Sequence, residues 1–271
     1  MLATAFKTGG YVVNLVCHKF NSQNNRPWLI WLHGLLGCGD EWSPLVKLCT
    51  QYPSLVVDLP GHGDSVAVQI KDFADMNHLL SETLREQQID QYWLIGYSLG
   101  GRIAMNYACY GDIRGLCGLL VEGGNPGLLS RRERHDRLNY DRDWARRFRS
   151  QPIEQVLFDW YQQKIFSDLL PEQRQQLIKV RSQNNGDRVA DMLENTSLGH
   201  QPWLVSKLQQ LTLPFMYLCG ENDKKFQQLA KRCVLPLQTI PHVGHNAHRA
   251  NATAFATAVN HFLSLFDYKE L

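Results

Sequence analysis

The residue whose setting most favours chemistry is Ser98, at the centre of the pentapeptide 96–100, Gly-Tyr-Ser-Leu-Gly. Residues 92–95 before it are apolar and predict a short buried strand, and residues 101–108 after it predict a helix. A serine at such a sharp turn is strained and needs small neighbours, which the two glycines provide. The turn exposes the hydroxyl and directs the first N–H groups of the helix at nearby developing charge. The pattern predicts a nucleophile elbow, and a glycine-rich loop with a helix-capping serine is the alternative.

A serine hydroxyl becomes a good nucleophile or base when an imidazole takes its proton and a carboxylate orients that imidazole. Two loops that follow later predicted strands supply an acid and then a histidine, the chain order expected after such an elbow. Asp223 is the preferred acid because it is shorter and lies deeper in its loop, and Glu221 is the alternative. His245 is preferred over His242 and His248 because the glycine before it allows a close approach.

Charge that develops on a substrate oxygen needs backbone donors near the serine. One expected donor is the N–H of Leu99, the residue after the nucleophile. The segment 33–37, His-Gly-Leu-Leu-Gly, follows another predicted strand, and the N–H of Leu35 is the expected second donor, with a plain tight turn as the alternative. The turn-rich loop 58–65 is interpreted as structural. Its His62 and aspartates lack the spacing of a standard metal motif, so no metal is predicted.

The elements that must position these residues are strands alternating with helices, which predict a mostly parallel sheet covered on both faces. The predicted strands are 11–18, 28–32, 55–58, 92–95, 116–121, 213–219 and 235–240. The predicted helices outside the middle of the chain are 41–52, 73–88 and 251–266. Residues 128–207 show helical patterns at 134–148, 153–163, 171–183 and 188–198 and no convincing strand. We therefore expect a core of residues 1–127 and 208–271 and an inserted helical cap of residues 128–207.

Composition narrows the class of protein. The 271 residues are 44% hydrophobic and 20% charged, as in ordinary globular chains, and a net charge of +2 argues against a nucleic-acid surface. Seven cysteines without a C-x-x-C pair are typical of a reducing compartment. Neither a secretory signal nor an apolar run of membrane-spanning length is recognisable. We expect a cytoplasmic protein that binds a small molecule and binds neither nucleic acid nor membrane. The sequence leaves the oligomeric state open, and a monomer is compatible with it.

Several strings resemble known families. His-Gly, Asp-Leu-Pro-Gly-His-Gly-Asp-Ser, Gly-Tyr-Ser-Leu-Gly-Gly-Arg, Gly-Glu-Asn-Asp and Gly-His, in this order, resemble the α/β-hydrolase fold across almost the whole chain. The longer strings at 96–102, 121–128, 158–163, 218–221 and 244–249 resemble one family within it. That family is the 2-succinyl-6-hydroxy-2,4-cyclohexadiene-1-carboxylate synthases of menaquinone biosynthesis.

The resemblance implies a lyase that needs no cofactor. Such enzymes eliminate pyruvate from 2-succinyl-5-enolpyruvyl-6-hydroxy-3-cyclohexene-1-carboxylate, which carries three carboxylates. Ser98, activated by His245 and Asp223, is then expected to take the ring proton next to the succinyl ketone. The N–H groups of Leu35 and Leu99 are expected to hold the enolate oxygen.

The same resemblance implies substrate-binding roles for five residues: Tyr97, Arg102, Arg137, Trp160 and Arg181. Arg102 lies four residues after Ser98, one helical turn further on, and a guanidinium binds a carboxylate through two parallel hydrogen bonds. Arg137 lies in an arginine-rich stretch, so Arg134 is an alternative for its role.

Two other functions use the same fold. A thioesterase or carboxylesterase acting on an acyl-CoA or ester would need the same triad, so the triad does not distinguish it from the lyase. A ligand receptor without catalysis is disfavoured because serine, aspartate and histidine all occur in order. Convergent arginines favour the lyase, since a neutral ester has no use for them.

Overall fold

The computed structural model describes residues 14–266 and, before them, the backbone of two short antiparallel strands, Lys7–Thr8 (β1) and Tyr11–Val12 (β2). The next strand, Cys17–Phe20 (β3), belongs to the main sheet. The single strand predicted over 11–18 is therefore wrong. Between β2 and β3, Leu15 and Val16 donate their N–H groups to the side-chain oxygens of Thr83 and Ser65, so this stretch joins no strand ladder.

The main sheet has seven strands. After β3 they are β4 Trp28–Leu32, β5 Ser54–Val57, β6 Tyr92–Tyr97, β7 Leu116–Glu122, β8 Phe215–Gly220 and β9 Leu237–Ile240. Their spatial order is β3-β5-β4-β6-β7-β8-β9, and only β3 runs antiparallel to its neighbour. Every residue of the central strand β6 is buried, as expected for a strand covered on both faces. The predicted parallel sheet is confirmed.

Helices cover both faces of this sheet. Outside the insertion they are α1 Ser43–Val46, α2 Phe73–Glu86, α3 Leu99–Tyr110, α9 Lys224–Arg232, α10 Ala247–Ala250 and α11 Ala252–Ser264. One hydrophobic cluster packs α2, α3 and α9 on one face, and a second packs α1 and α11 on the other.

The helix predicted over 41–52 is much shorter than expected. A 3₁₀ turn, Gly39–Trp42, leads into the single turn of α1. The chain then bends, with the N–H of Cys49 bonded to the carbonyl of Leu45 and that of Tyr52 to the carbonyl of Cys49. These turns bury Cys49 and Tyr52, so tertiary burial replaces the regular helix that the apolar pattern suggested.

The insertion between β7 and β8, which lies entirely within the described residues, consists of helices joined by loops and contains no strand. It contains α4 Arg131–Ser150, α5 Ile153–Trp160, α6 Pro171–Arg181, α7 Gly186–Asn195 and α8 Val205–Leu208, with a 3₁₀ turn at Lys164–Phe166. A hydrophobic cluster drawn from residues 145–193 joins α4 to α7 and also takes in Leu36 of the core. Helix α8 packs instead with the cluster on the sheet. The limits at 128 and 207 remain a prediction, and this packing groups α8 with the core.

Two consequences follow for function. Because β4, β6, β8 and β9 are parallel, the loops that follow them lie at one edge of the sheet, and these loops carry the predicted reactive groups. Within residues 14–266, no helix combines the length and apolarity needed to cross a membrane.

Candidate active site

Ser98 occupies a strained turn between β6 and α3. Its backbone angles are φ 49° and ψ −104°, a combination that residues with side chains rarely adopt. A Cβ on Gly96 would lie 2.4 Å from the carbonyl oxygen of Gly100, and one on Gly100 would lie 2.2 Å from that of Leu32, so both positions require glycine. The N–H of Ser98 donates to the carbonyl oxygen of Glu122 at 2.8 Å. This is the geometry of a nucleophile elbow.

Of the acids and histidines that the sequence left open, the structure joins Asp223 and His245. Nδ1 of His245 lies 2.8 Å from Oδ2 of Asp223, and both side chains are at most 5% exposed. The other carboxylate oxygen accepts the N–H of Phe226 at 3.2 Å and so caps α9. The Phe226 ring stacks on the imidazole with centroids 4.8 Å apart. The aspartate thus fixes the imidazole and the helix that packs on it.

The alternative residues lie elsewhere. The carboxylate of Glu221 accepts the N–H of His242 at 2.9 Å, and the imidazole of His242 is exposed to solvent. The imidazole of His248 is buried behind the site, with Nδ1 2.7 Å from Oε2 of Glu122. Neither pair is placed to exchange a proton with a substrate at Ser98.

Ser98 and His245 face the same cavity, although within residues 14–266 no hydrogen bond joins their side chains. Gly123, with φ 58°, backs the imidazole, and a Cβ there would lie 2.7 Å from Cε1 of His245. Gly244 was expected to let the loop approach Ser98 closely. In the structure it instead makes room for the carboxylate of Asp168, because a Cβ at 244 would overlap that group. Catalytic hydrogen bonds often tighten only in the substrate complex, so Ser98 and His245 remain a candidate nucleophile and base.

The peptide between Gly34 and Leu35 is held so that its N–H is available. The carbonyl oxygen of Gly34 accepts Nδ1–H of His33 at 2.7 Å and the N–H of Gly37 at 3.0 Å. In a trans peptide the N–H points away from the carbonyl, so these bonds aim the Leu35 N–H in the opposite direction. Neither it nor the N–H of Leu99 has an acceptor among the residues the structure describes. Both are therefore candidate oxyanion donors.

Two buried neutral histidines hold the same loop from the core side. Nε2 of His33 accepts the N–H of Leu59 at 3.0 Å, and Nε2 of His62 accepts the N–H of Leu36 at 3.0 Å. The second bond supports Leu36 at φ 69°, an unfavourable angle for a leucine. Burial lowers the pKa of His33 to about 4 and that of His62 to about 3, so both rings stay neutral and can accept.

One cluster in the described part of the chain has metal-binding geometry, formed by His18, Asp58 and Asp64. The two carboxylate oxygens of Asp58 already accept the N–H groups of Gly39 at 2.7 Å and Asp64 at 2.8 Å. These bonds tie the loop after β5 to the 3₁₀ turn after β4. The residues therefore fit a structural role, and His62 faces the other way, onto the loop 33–37.

A cavity of about 850 Å³ lies between the sheet edge and the insertion. Ser98, Arg102 and His245 line it from the core, and Arg137 and Trp160 line it from the insertion. Its basic side chains are Arg102, Arg137, Lys164, Lys224 and Lys225, and its acidic ones are Asp168 and Asp223. Since Asp223 is bonded to His245, the cavity presents an excess of positive charge to a ligand.

Arg102 is the basic side chain with the clearest need of an anion. It is 8% exposed, and its guanidinium donates to Oε1 of Gln201 at 2.9 Å and to the carbonyl oxygen of Thr196. It also lies over the ring of Phe73 at 5.5 Å. Burial, and then the charge of Arg137, lower its pKa below the ordinary 12.5. Among the described residues it has no carboxylate partner, so an anionic ligand would compensate its charge.

Comparison with known proteins supplies the family. Residues 29–258 match the model of the alpha/beta hydrolase family. The chain is 79% identical over 255 residues to a 2-succinyl-6-hydroxy-2,4-cyclohexadiene-1-carboxylate synthase from Photorhabdus laumondii, covering 94% of this chain and 92% of that protein. A protein of the same name from Yersinia pestis is 58% identical over 260 residues, covering 93% and 96%.

The chain belongs to this synthase family.

Solved structures agree with the assignment. MenH from S. aureus superposes with a TM-score of 0.83 at 27% identity, covering 92% of this chain and 98% of that one. A thermophilic esterase from Thermogutta terrifontis superposes with a TM-score of 0.77 at 19% identity, covering 93% of each chain, and shows the shared fold alone.

Three of the substrate-binding residues expected for the synthase family lie on the cavity wall: Arg102, Arg137 and Trp160. Nε of Arg137 donates to Asp141 at 2.8 Å, which orients the guanidinium and leaves further donors available. Arg134, the alternative, instead bonds the carbonyl oxygen of Leu129 outside the cavity lining. The geometry therefore favours Arg137.

Tyr97 and Arg181, the other two residues expected to bind substrate in this family, do not lie on the cavity wall. Tyr97 is 3% exposed, its hydroxyl donates to Asn246, and its ring packs between His245 and His248. Arg181 is 3% exposed and forms an ion pair within the protein. The structure thus separates these two side chains from the three on the wall because protein partners already surround them.

Sequence reasoning missed two groups of residues. His33 and His62 hold the oxyanion loop. The available signal was that His33 directly follows the buried strand β4 and His62 lies in the loop after β5. Lys164 and Lys225 add positive charge to the synthase cavity, which no spacing in the sequence predicts. Burial, and then the charge of Arg137, lower the pKa of Lys225. Lys164 lies in the 3₁₀ turn of the insertion and Lys225 lies on α9, so only the tertiary fold brings these cations to one cavity.

Proposed function

We propose that this chain eliminates pyruvate from 2-succinyl-5-enolpyruvyl-6-hydroxy-3-cyclohexene-1-carboxylate to give 2-succinyl-6-hydroxy-2,4-cyclohexadiene-1-carboxylate, a step of menaquinone biosynthesis. Membership of the synthase family supports the reaction. The observation that carries it at the site is Arg102, a buried guanidinium without a carboxylate partner, one helical turn beyond the strained Ser98. Such a group suits a substrate rich in carboxylates and does not suit a neutral ester.

The chemistry begins with a proton transfer. His245, oriented by Asp223, takes the hydroxyl proton of Ser98, and the serine oxygen takes the ring proton next to the succinyl ketone. The electron pair of that C–H bond moves toward the ketone, whose oxygen becomes an enolate. The N–H groups of Leu35 and Leu99 stabilise this oxygen as they would the oxyanion of an ester hydrolysis.

The enolate then expels enolpyruvate. As the enolate collapses back to the ketone, a double bond forms between ring carbons 2 and 3, the 3,4 double bond shifts to carbons 4 and 5, and the bond from carbon 5 to the enolpyruvyl oxygen breaks. The ring proton remains on the Ser98 oxygen, His245 returns the proton that it took, and the enolpyruvate that leaves takes up one proton and becomes pyruvate. No acyl-enzyme forms, so the serine acts as a base, and the reaction needs neither a metal nor a cofactor.

Basic side chains hold the carboxylates of the substrate. Arg102 binds one through its unpaired charge, and Arg137, on α4 of the insertion, binds another. Lys164 and Lys225 attract the third, and Trp160 provides an apolar surface for the ring. This distribution draws a trianion into the cavity and orients the reacting C–H bond toward Ser98.

We further propose that the enzyme works in the cytoplasm on a small-molecule substrate alone. Cysteines 17, 38, 49, 109, 117, 219 and 233 are all free thiols, which suits a reducing compartment. Burial raises the pKa of Cys38 to about 11, so even this partly accessible thiol stays protonated and unreactive.

The test is pyruvate release from the enolpyruvyl substrate, generated in place from chorismate and 2-oxoglutarate by the preceding pathway enzyme. We expect rapid release that Ser98→Ala lowers by about 10³-fold or more. A reaction without enzyme is the control, since the substrate also decays by itself. Wild-type release no faster than this control would reject the lyase. Turnover of acyl-CoA or simple esters with a burst of acyl-enzyme would then identify a hydrolase.

A further inference from the structure

Glu41 lies in the 3₁₀ turn that follows the oxyanion loop, which we define as residues 33–37, and it is the acidic centre of a buried charge cluster. Its side chain is 5% exposed. Oε1 lies 2.6 Å from Nη2 of Arg181 and 3.4 Å from Nη1 of Arg249. Its other oxygen lies against Gly37, where a Cβ would lie 2.9 Å away. We propose that Glu41 is a positioning residue that holds the oxyanion donor in place by anchoring Arg181 of the insertion.

The contacts of Glu41 join three segments that build the site. Gly37 belongs to the oxyanion loop, Arg181 ends α6 of the insertion, and Arg249 lies on α10, which begins just after His245. One carboxylate therefore links the donor loop, the insertion and the segment that carries the base. Because the group is buried, displacing any one segment would leave a charge without its partner in a medium of low dielectric constant.

Arg181 connects Glu41 to the oxyanion loop through hydrogen bonds. Its Nη1 donates to the carbonyl oxygen of Leu35 at 3.3 Å and to the hydroxyl oxygen of Tyr161 at 2.8 Å. Nearby, Nδ2 of Asn184 donates to the carbonyl oxygen of Leu36 at 3.0 Å. The insertion thus holds the two carbonyls that follow the Leu35 N–H.

The loop is therefore held from two sides. On the core side His33 holds the carbonyl of Gly34 and His62 holds the N–H of Leu36. On the other side Arg181 and Asn184 hold the next two carbonyls. With its neighbours fixed on both sides, the peptide that carries the Leu35 N–H has little freedom to rotate away from a developing oxyanion.

The ionisation of Glu41 agrees with this role. Burial by itself raises the pKa of a carboxyl group, but the charges of Arg181 and Arg249 outweigh it and hold the pKa of Glu41 below its ordinary 4.5. The pair is consequently charged at neutral pH. Arg181 is thereby occupied by the protein itself, and this distinguishes it from Arg102.

The experiment compares Glu41→Gln, Arg181→Met and the double variant with the wild type. This kinetic part rests on the proposed lyase activity. We expect each variant to lower kcat by about 10- to 100-fold while KM stays within about threefold, because a donor is misplaced and no substrate contact is lost. The double variant should be no worse than either single one, since both residues act through one contact. It also removes both buried charges, so it tests the proposal even if a single variant folds poorly.

The matched control is Glu194→Gln, which removes another glutamate–arginine pair, 2.7 Å from Arg149, within the insertion and outside the cavity lining. Wild-type kcat in Glu41→Gln, or an Arg181→Met variant that raises KM and spares kcat, would overturn the proposal. The second result would identify Arg181 as a substrate ligand.

A second measurement needs no substrate. Amide hydrogen exchange of a peptide that covers residues 33–38 should be faster in Glu41→Gln and Arg181→Met than in the wild type or Glu194→Gln. Equal exchange in all four proteins would show that the pair does not hold the loop. If the wild type released no pyruvate, the proposed function would fail, and this measurement would still decide the role of Glu41.

Discussion

Two buried arginines, Arg102 and Arg181, have opposite kinds of bonding partner. Arg102 is bonded to an amide oxygen and a backbone carbonyl, and it faces the cavity. Arg181 is bonded to the carboxylate of Glu41 and lies away from the cavity wall. A guanidinium buried among neutral partners carries a charge that a ligand can compensate, whereas one buried with a carboxylate is already compensated. We therefore expect the same residue type to bind substrate in one region and to stabilise the architecture in the other.

The largest expected effect separates these two arginines directly. Arg102→Met should lower kcat/KM by about 10²- to 10³-fold, because a charge-assisted contact with a substrate carboxylate is lost. Its free energy of unfolding should stay within about 1 kcal/mol of the wild type, since no ion pair is broken. Arg181→Met should instead lower the free energy of unfolding by about 3 kcal/mol, because the buried Glu41 loses its closer partner and keeps only Arg249, 3.4 Å away.

Urea unfolding measures the expected changes in stability, and steady-state kinetics on the same preparations measures the expected change in kcat/KM. Equal losses of stability in the two variants would remove the distinction between a binding and a structural arginine.

A second test uses the pH dependence of stability to separate the two sets of contacts that fix the oxyanion loop, those of His33 and His62 and those that depend on Glu41. His33 and His62 have folded pKa values of about 4 and 3, below the 6.5 of the unfolded chain, so the unfolded state binds more protons between these values. The free energy of unfolding should therefore fall as the pH drops from 6.5 toward 4. Glu41 has a pKa below its ordinary 4.5, so its contribution is complete above that pH and is lost only as the pH falls further.

The variant His62→Gln keeps a side-chain acceptor for the Leu36 N–H and removes one titrating group. Its stability should depend less on pH between 6.5 and 4.5 than that of the wild type, measured by urea unfolding at several pH values. An unchanged pH dependence would argue that His62 is not neutral and buried in the folded protein.

The smallest expected effect concerns the arginines of α4. Arg137→Ala should raise KM by about tenfold, because its guanidinium lies on the cavity wall and is partly shared with Asp141. Arg134→Ala is the matched control and should leave both kcat and KM near the wild-type values, since its guanidinium bonds the carbonyl of Leu129. A larger change in KM for Arg134→Ala would reverse the assignment.

Much of the fold was predictable because its signals are local. Buried parallel strands are apolar on both faces, so β4, β6 and β7 stand out as short runs between polar residues. The elbow at Ser98 was predictable because glycine is the only residue that fits beside it. The stretches 11–18 and 41–52 were mispredicted. Leu15, Cys49 and Tyr52 are buried there through irregular backbone, whose N–H groups bond to side chains or close turns.

The sequence by itself determined the order of strand, elbow, acid and histidine, and therefore the edge of the sheet at which the chemistry takes place. Only the tertiary structure decided which members of each set meet: Asp223 with His245, Glu221 with His242, and Arg181 with Glu41. The physical reason is distance along the chain. The pairing of Arg181 with Glu41 joins side chains 140 residues apart, and no local spacing encodes which buried charge will find a carboxylate.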